Sequence, residues 1–184
     1  QENMDVLKKK FVRISYKHIQ IAKQLITSYG ASYIEAPHEA DELCAKLVIK
    51  NKAYACLSED MDMFVYGCPR VLRYFSLFNH KIVIYDLKNI LTSLNLNIDE
   101  FRQICVLSNN DYNTNTQNNL YSTIKYFDKY KKVKQFDSFI HYLQSETDYI
   151  ENINDYENIF NIFDLSGCTY LNNYNKITIN NGPI

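Results

Sequence analysis

The sequence lacks a long apolar segment, a signal peptide at its start and a surplus of charge of one sign. A membrane-spanning helix needs roughly twenty consecutive apolar residues, and no segment approaches that length. We therefore expect a soluble, intracellular protein that is not secreted. The formal net charge of −1 means that the whole-chain charge does not indicate a nucleic-acid binder.

The cysteines do not form a metal-binding or disulfide pattern. No CxxC pair occurs, and most of the cysteines fall inside apolar segments. This placement favours reduced, buried thiols over zinc ligands or disulfides. The cysteines are Cys44, Cys56, Cys68, Cys105 and Cys168.

Helical and extended patterns alternate in the first part of the chain. Apolar residues at spacings of three and four predict a long amphipathic helix over 5–29, which ends at Gly30. A short strand is predicted at 33–35, and Pro37 is expected to open a second helix. An apolar run at 53–57 reads as a buried strand. Helix, strand, helix and strand in this order predict an α/β protein with a parallel sheet.

The middle of the chain predicts a hairpin and two capped helices. A short helix is expected from Asp62 to Tyr66, followed by strands at 71–75 and 81–85. Asp86 is expected to cap the next helix, and 97–100 has the form of a capping box. Further helical patterns occur at 120–130, 136–143 and 149–163. With no internal repeat or linker, the length of 184 residues fits one domain.

Acidic residues from three separate predicted elements could meet at one edge of the sheet. Asp60 and Asp62 follow the strand at 53–57, Glu39 and Asp41 lie at the start of a helix, and Asp111 follows a helix end. Carboxylates that converge repel each other unless a cation lies between them, and their oxygens suit Mg²⁺ or Mn²⁺. Hydrolysis of phosphodiesters by two divalent ions needs such a set. Solvated turns and helix caps are the alternative explanation for these acids.

Basic residues form two clusters, near the start of the chain and after Asp111. Each could be a solvated helix face or a contact to nucleic-acid phosphates. The first consists of Lys8, Lys9, Lys10 and Arg13, and the second includes Lys125, Lys129, Lys131 and Lys132.

Three segments together resemble the flap endonuclease and XPG family of nucleases. Residues 30–45 are similar to the family pattern G-x-x-Y-x-x-A-P-x-E-A-(E or D)-x-x-C-A, and 58–62 resemble its S/T-E-D-x-D. Residues 101–112 are similar to F-x-x-x-C-x-L-x-G-S-D-Y. The segments occur in the family's order with matching spacing, and the resemblance covers about residues 5–112.

The resemblance implies a PIN-like three-layer α/β/α fold with a mainly parallel central sheet, followed by a helical C-terminal region. Residues 1–112 would form the internal, XPG-I-like part of the nuclease domain and begin in its helical arch. Residues 113–171 would take the place of a helix-two-turn-helix DNA-binding segment, and 172–184 would be a tail.

The resemblance also implies a site that holds two Mg²⁺ or Mn²⁺ ions. The matching carboxylates, which we expect to be both catalytic and metal-binding, are Glu39, Asp41, Asp60, Asp62 and Asp111. Glu59 matches a family position that is not a ligand. The first helix resembles the returning half of the arch, so that Lys8, Lys9, Lys10 and Arg13 could contact phosphates of a single strand.

The chain departs from the family pattern in three places. Two further family carboxylates would lie upstream of Gln1, so we expect a fragment whose site is incomplete. Asn109 and Asn110 replace a Gly-Ser pair, although asparagine tolerates the left-handed conformation better than most residues. The family's glycine-rich motif is replaced by 114–119, which contain no glycine.

The expected function is a divalent-metal-dependent, structure-specific DNA endonuclease or 5′ exonuclease of the 5′-flap type, in replication and repair. Two alternatives stay open: a non-catalytic module that binds nucleic acid or a partner, and a PIN-type ribonuclease. The expected partner is branched or 5′-flap DNA, without a membrane, and the expected location is with the genome, in the nucleus or a cytoplasmic replication site. A sliding clamp stays open as a partner, although the tail has no clamp-binding motif.

Overall fold

The computed structural model describes residues 13–108, 111–112, 119–133 and 135–165. Within these residues, helices alternate with a small sheet in the first part and follow one another in the second. The helices are α1 Tyr16–Ser28, α2 Ala40–Ile49, α3 Asp62–Val65, α4 Leu87–Leu94, α5 Ile98–Leu107, α6 Leu120–Tyr130, α7 Phe139–Glu146 and α8 Ile153–Phe163; the strands are β1 Cys56–Leu57, β2 Arg70–Ser76 and β3 Lys81–Asp86.

The described residues fall into two compact units, divided between Ala36 and Pro37. In the first unit, α1 has no buried residue. Its C-terminal end is closed by Gly30, whose φ of 74° is unstrained only for glycine. Lys23 forms an ion pair with Glu35, and its ammonium lies 5.2 Å from the centre of the Tyr33 ring.

The sheet of the second unit has the order β1-β2-β3. Strand β1 pairs in parallel with β2, with Cys56 opposite Val71. Strand β2 pairs antiparallel with β3, with Val71 opposite Tyr85. The α/β class is therefore confirmed, whereas the described sheet is mixed and not mainly parallel. Because β1 runs parallel to its neighbour, the residues after Leu57 leave the sheet at an edge where α/β proteins place their ligands.

Local signals predicted several of these elements correctly. The Asp86 carboxylate accepts a hydrogen bond from the Asn89 N–H at 3.0 Å, as expected of a helix cap. Asn97 and Glu100 form the predicted capping box at the start of α5. Gly67 follows α3 with a φ of 84°, which explains why the short helix ends there.

Other predicted elements were displaced or did not form. No strand forms at 33–35, because an extended segment becomes a strand only when another strand pairs with it. Helix α1 begins at Tyr16 after the cap Ser15, so Arg13 precedes the helix, and 5–12 lie outside the described residues. Helix α2 begins at Ala40 and not at Pro37, and Glu39 is its extended N-cap residue. Helices α7 and α8 also begin three or four residues later than their periodicity suggested.

One core connects the sheet to the helices of the second unit. Met63, Phe139 and Phe163 are completely or almost completely buried within it. Phe139 packs edge-on against Phe127 of α6, with ring centres 5.0 Å apart. Burial of such large apolar side chains is the main favourable contribution to folding. In this core, Met63 anchors α3 directly beside its first residue, Asp62.

The cysteines and the helices fit the remaining expectations as far as they are described. Cys44, Cys56, Cys68 and Cys105 are buried or partly buried and do not form disulfides, and Cys168 lies outside the described residues. No helix among the described residues has the length and apolar character that crossing a membrane requires.

Candidate metal centre

Three elements meet around the short helix α3 and bring the predicted acidic residues together. Helix α3 begins at Asp62 and packs against both α2 and α5. Glu39 and Asp41 lie at the start of α2, and Asp111 follows the end of α5 after Ser108. We call the group formed by Glu39, Asp41, Asp60, Asp62 and Asp111 the acidic cluster.

The loop between β1 and α3 has a specific hydrogen-bonded conformation. The Ser58 hydroxyl accepts a hydrogen bond from the Asp60 N–H at 3.0 Å. Oδ1 of Asp60 in turn accepts one from the Asp62 N–H at 2.8 Å. Asp side chains commonly close turns in this way. One oxygen of the Asp60 carboxylate is thereby held near the start of α3, and its second oxygen has no such tie to the loop.

Burial, together with repulsion from the other acids of the cluster, raises the pKa of Asp41 and Asp62. Burial raises the pKa of Asp62, and the negative charges of Asp60, Asp111 and Asp41 raise it further. Burial also raises the pKa of Asp41, with added contributions from Asp60 and Glu39. Each of the five carboxylates thus acts on at least one other through space. A divalent cation among them would relieve this repulsion, since opposite charge favours the ionised carboxylate.

The carboxylate oxygens of the acidic cluster suit a hard cation, but the side chains do not converge on one point. Carboxylate oxygens are the ligands that Mg²⁺ and Mn²⁺ prefer. In the part of the chain that the structure describes, no three His, Cys, Asp or Glu side chains converge closely enough to hold a metal ion. Because the carboxylates carry like charges and are partly exposed, their repulsion favours conformations that keep the side chains apart. The assignment of the five residues as metal ligands therefore stays a prediction.

Aromatic residues support the cluster from the side of α8. The Tyr112 ring, next to Asp111, packs edge-on against Phe163 with centres 5.7 Å apart. Tyr66, one turn after Asp62, contacts the same Phe163 ring at 4.9 Å. The segments that carry Asp62 and Asp111 thus both pack against the Phe163 ring, through Tyr66 and Tyr112. No role for Tyr66 or Phe163 was predictable from the sequence, because their contact joins residues about a hundred positions apart.

The thiols beside the cluster are poor candidates for ligands. Burial, together with the charge of Asp62, raises the pKa of Cys105 to about 12, so that this thiol stays protonated at neutral pH. A hydrogen bond with Cys56 lowers the pKa of Cys44 to about 7. That bond directs the Cys44 sulfur to Cys56, in keeping with the prediction that these cysteines are not zinc ligands.

Glu59 has different partners from the aspartate that follows it. Its carboxylate lies 3.4 Å from Nε of Arg73 and accepts a hydrogen bond from the Tyr74 N–H at 2.6 Å. Both partners belong to strand β2. The expectation that Glu59 is not a metal ligand agrees with these contacts.

The basic residues after the cluster divide into two groups. Lys125, Lys129 and Lys132 are exposed, and their spacing of four and three places them on one face of α6 and its C-terminal turn; we call this the α6 basic face. Lys131 instead forms an ion pair with Glu100 of α5 at 2.6 Å. In the first cluster, Arg13 is exposed, and Lys8, Lys9 and Lys10 lie outside the described residues.

Comparisons with known proteins agree with the three motifs. The family model of the XPG I-region matches residues 30–111. Residues 30–111 are thus similar to the XPG I-region. Every member of the acidic cluster lies within that region. Flap endonuclease 1 of Nematostella vectensis is 38% identical to it over 114 residues, which are 60% of this chain and 30% of the relative.

Solved structures of XPG-type nucleases have the same fold. The catalytic core of Rad2 in complex with a DNA substrate matches with a TM-score of 0.67 and 19% identity, over 96% of this chain and 64% of that one. The Holliday junction-resolving enzyme GEN1 in complex with product DNA and a Mg²⁺ ion matches with a TM-score of 0.60 and 20% identity, over 82% and 43%. The chain spans about 30% of the length of the flap endonucleases that it matches.

The raised pKa of Asp62 predicts an unusual dependence of stability on pH. Because the folded-state pKa lies above the ordinary value of about 3.9, the native state binds more protons than the unfolded state between the two values. The free energy of unfolding therefore falls as the pH rises through this window. In the absence of divalent ions, Asp62→Asn should be more stable than the wild type at pH 7 and lose that advantage towards pH 4.

Urea denaturation of the metal-free chain at several pH values measures this difference. Asp137→Asn, which changes an exposed aspartate outside the acidic cluster, is the matched control and should leave the pH profile unchanged. A variant Asp62→Asn that is less stable than the wild type at pH 7 would contradict the electrostatic interpretation.

Proposed function

We propose that this chain forms part of a divalent-metal-dependent nuclease that hydrolyses phosphodiester bonds in branched DNA, with 5′ flaps as the preferred substrate. The single observation that supports the proposal most strongly is the acidic cluster, in which the start of α2, the β1–α3 loop and the residue after α5 supply carboxylates whose charges act on one another. Two Mg²⁺ or Mn²⁺ ions are proposed as its cofactors.

The functions of the similar proteins support the same activity. The relatives that match are flap endonucleases, and the Rad2 and GEN1 structures contain DNA. The GEN1 structure also contains a Mg²⁺ ion. We infer that this protein acts on the same class of substrate. A nuclease of this kind works with the genome, either in the nucleus or at a cytoplasmic replication site.

The residues of the acidic cluster would act by binding divalent ions and fixing their positions. When bound, divalent ions supply Lewis acidity for an in-line displacement at phosphorus. Asp62 and Asp41 would hold them from half-buried positions, where a carboxylate interacts more strongly with a cation than it does in water. Asp60 would present the oxygen that the Asp62 amide does not use. In this proposal the carboxylates serve as metal ligands, and no side chain forms a covalent intermediate.

Loss of one carboxylate should stop cleavage and leave DNA binding largely intact. We expect the complete translation product of the gene to cut a 5′-flap substrate in Mg²⁺, and Asp60→Asn or Asp111→Asn to reduce the rate by at least about 100-fold. Asparagine at position 60 keeps the oxygen that accepts from the Asp62 amide, so the loop is preserved. Gel-resolved cleavage of a labelled flap, with Asp137→Asn as the control, measures the effect.

Cleavage that persists in EDTA would contradict the proposal. An alternative, a module that binds nucleic acid without cutting it, is favoured by the absence of a closed metal-binding group among residues 13–108, 111–112, 119–133 and 135–165. DNA binding by the complete product without Mn²⁺ binding would support that alternative. Faster cleavage of RNA than of flap DNA would indicate a PIN-type ribonuclease.

The α6 basic face is proposed as a contact to the DNA backbone. Its members are exposed, and Nζ of Lys129 lies 5.3 Å from the centre of the Tyr126 ring. Lysine side chains that neutralise phosphates release counterions, so that affinity falls steeply with salt. Lys131 is excluded from this assignment, because its ammonium already pairs with Glu100.

Replacing the basic face should weaken binding to all DNA sequences equally. The triple variant Lys125→Gln, Lys129→Gln, Lys132→Gln should reduce the slope of log K against log salt by about 3, roughly one for each phosphate contact. Fluorescence anisotropy with duplex and flap DNA over a range of salt measures the slope. Lys131→Gln is the matched control from the same segment. A reduction of the slope in Lys131→Gln to about one third of that in the triple variant would show that general charge, and not this face, determines binding.

A further inference from the structure

Glu59 lies inside the acidic loop, yet its side chain joins that loop to strand β2. Oε1 of Glu59 accepts a hydrogen bond from the Tyr74 backbone N–H at 2.6 Å, and Oε2 lies 3.4 Å from Nε of Arg73. We call Glu59, Arg73 and the Tyr74 amide the Glu59 cluster. Because Glu59 directly precedes Asp60, this attachment acts on the backbone that carries a proposed metal ligand.

Arg73 holds the loop on both sides of Asp60. Its Nη2 donates a hydrogen bond to the backbone carbonyl of Glu59 at 2.8 Å, and its Nη1 contacts the sulfur of Met61. Its Nε is buried and has no hydrogen bond, so the ion pair with Glu59 is what compensates the charge there. Guanidinium groups present several donors in a fixed plane, which suits them to fixing more than one partner at once.

An irregularity in β2 places the Tyr74 amide opposite Glu59. The pairing of β2 with β3 shifts register between Arg73 and Ser76, and Tyr74 has a φ of 54°, which is uncommon for a residue other than glycine. Bulges of this kind redirect groups near functional sites. The Tyr74 N–H thereby donates to a side chain of the loop, and its partner Glu59 stabilises the unusual backbone conformation.

Charge explains why the residue before Asp60 is itself acidic. Glu59 neutralises a partly buried arginine that contacts the loop on either side of Asp60, at the Glu59 carbonyl and the Met61 sulfur. Without Glu59, the Arg73 guanidinium could pair with Asp60 or Asp62 and compete with a cation for the same oxygens. With Glu59 present, the aspartates stay available.

We propose that Glu59 and Arg73 are positioning residues that fix the Asp60–Asp62 loop and keep its aspartates free for a divalent ion. This inference rests on the proposed function, because it presupposes that the acidic cluster binds the metal. It goes further by giving a role to the one acid of the loop that is not a proposed ligand.

Mn²⁺ binding to the full chain of 184 residues tests the inference without relying on catalysis. Glu59→Gln should raise the dissociation constant for Mn²⁺ about 10-fold, as is typical when a group that orients a metal ligand is removed, and should broaden the electron paramagnetic resonance spectrum of bound Mn²⁺. Arg73→Gln should have a similar effect. If Glu59 and Arg73 act as one unit, the double variant should lose no more affinity for Mn²⁺ than the single variant that binds Mn²⁺ more weakly.

Asp99→Asn is the matched control. Asp99 also pairs with a partly buried arginine, Arg102, at 3.3 Å, and its side chain is 68% exposed against 60% for Glu59. This control should bind Mn²⁺ as the wild type does. In addition, hydrogen exchange of the metal-free chain should be faster at residues 58–62 in Glu59→Gln and unchanged there in the control.

The outcomes separate this inference from the proposed function. If the wild type binds Mn²⁺ while Glu59→Gln binds it equally well, with unchanged exchange at 58–62, then the positioning role is wrong and the proposed metal site stands. If the wild type does not bind Mn²⁺, the proposed metal site fails, and the positioning role fails with it.

Discussion

Repulsion between carboxylates at one edge of the sheet is the constraint on which the rest of the structure depends. Asp41 and Asp62 are half-buried among other acids, and burial and neighbouring charge both raise their pKa values. Such an arrangement is unfavourable by itself. It persists because α3 is held between α2 and α5 by the buried Met63, and because Tyr66 and Tyr112 attach Asp62 and Asp111 to the same Phe163 ring. Packing thus maintains a concentration of negative charge that a bound cation would relieve.

Neighbouring acids in this loop have different tasks because they have different partners. Asp60 closes the turn to Asp62, whereas Glu59 contacts Arg73 and Tyr74 on β2. The same distinction separates Lys131, which pairs with Glu100, from the exposed lysines of the α6 basic face. A charged residue can therefore be assigned to a binding surface only after its contacts in the fold are known.

Features that depend on adjacent residues were predictable from the sequence. Asp86 and the Asn97 capping box act over three residues, and Gly30 and Gly67 end helices through their own φ values. The strand expected at 33–35 failed because strand formation requires a distant partner. Helix α2 starts at Ala40, after the extended Glu39, although Pro37 would also have suited the first turn. Propensity alone could not choose between the two starts.

The residues of the candidate site were predictable from the sequence, but the burial and contacts of their side chains were not. The three motifs predicted every member of the acidic cluster, because a motif is defined by residue type and spacing, and both can be read directly from the sequence. The half-burial of Asp41 and Asp62, the anchor at Phe163 and the tie between Glu59 and Arg73 were not predictable, since each depends on contacts between elements distant in the chain.

The most direct test of the central claim is anomalous diffraction from crystals of the full chain soaked in Mn²⁺. We predict an anomalous peak about 2.0–2.2 Å from carboxylate oxygens of Asp60 or Asp62, shared with at least one of Asp41 and Asp111. Anomalous peaks confined to other parts of the surface, with none at the acidic cluster, would contradict it.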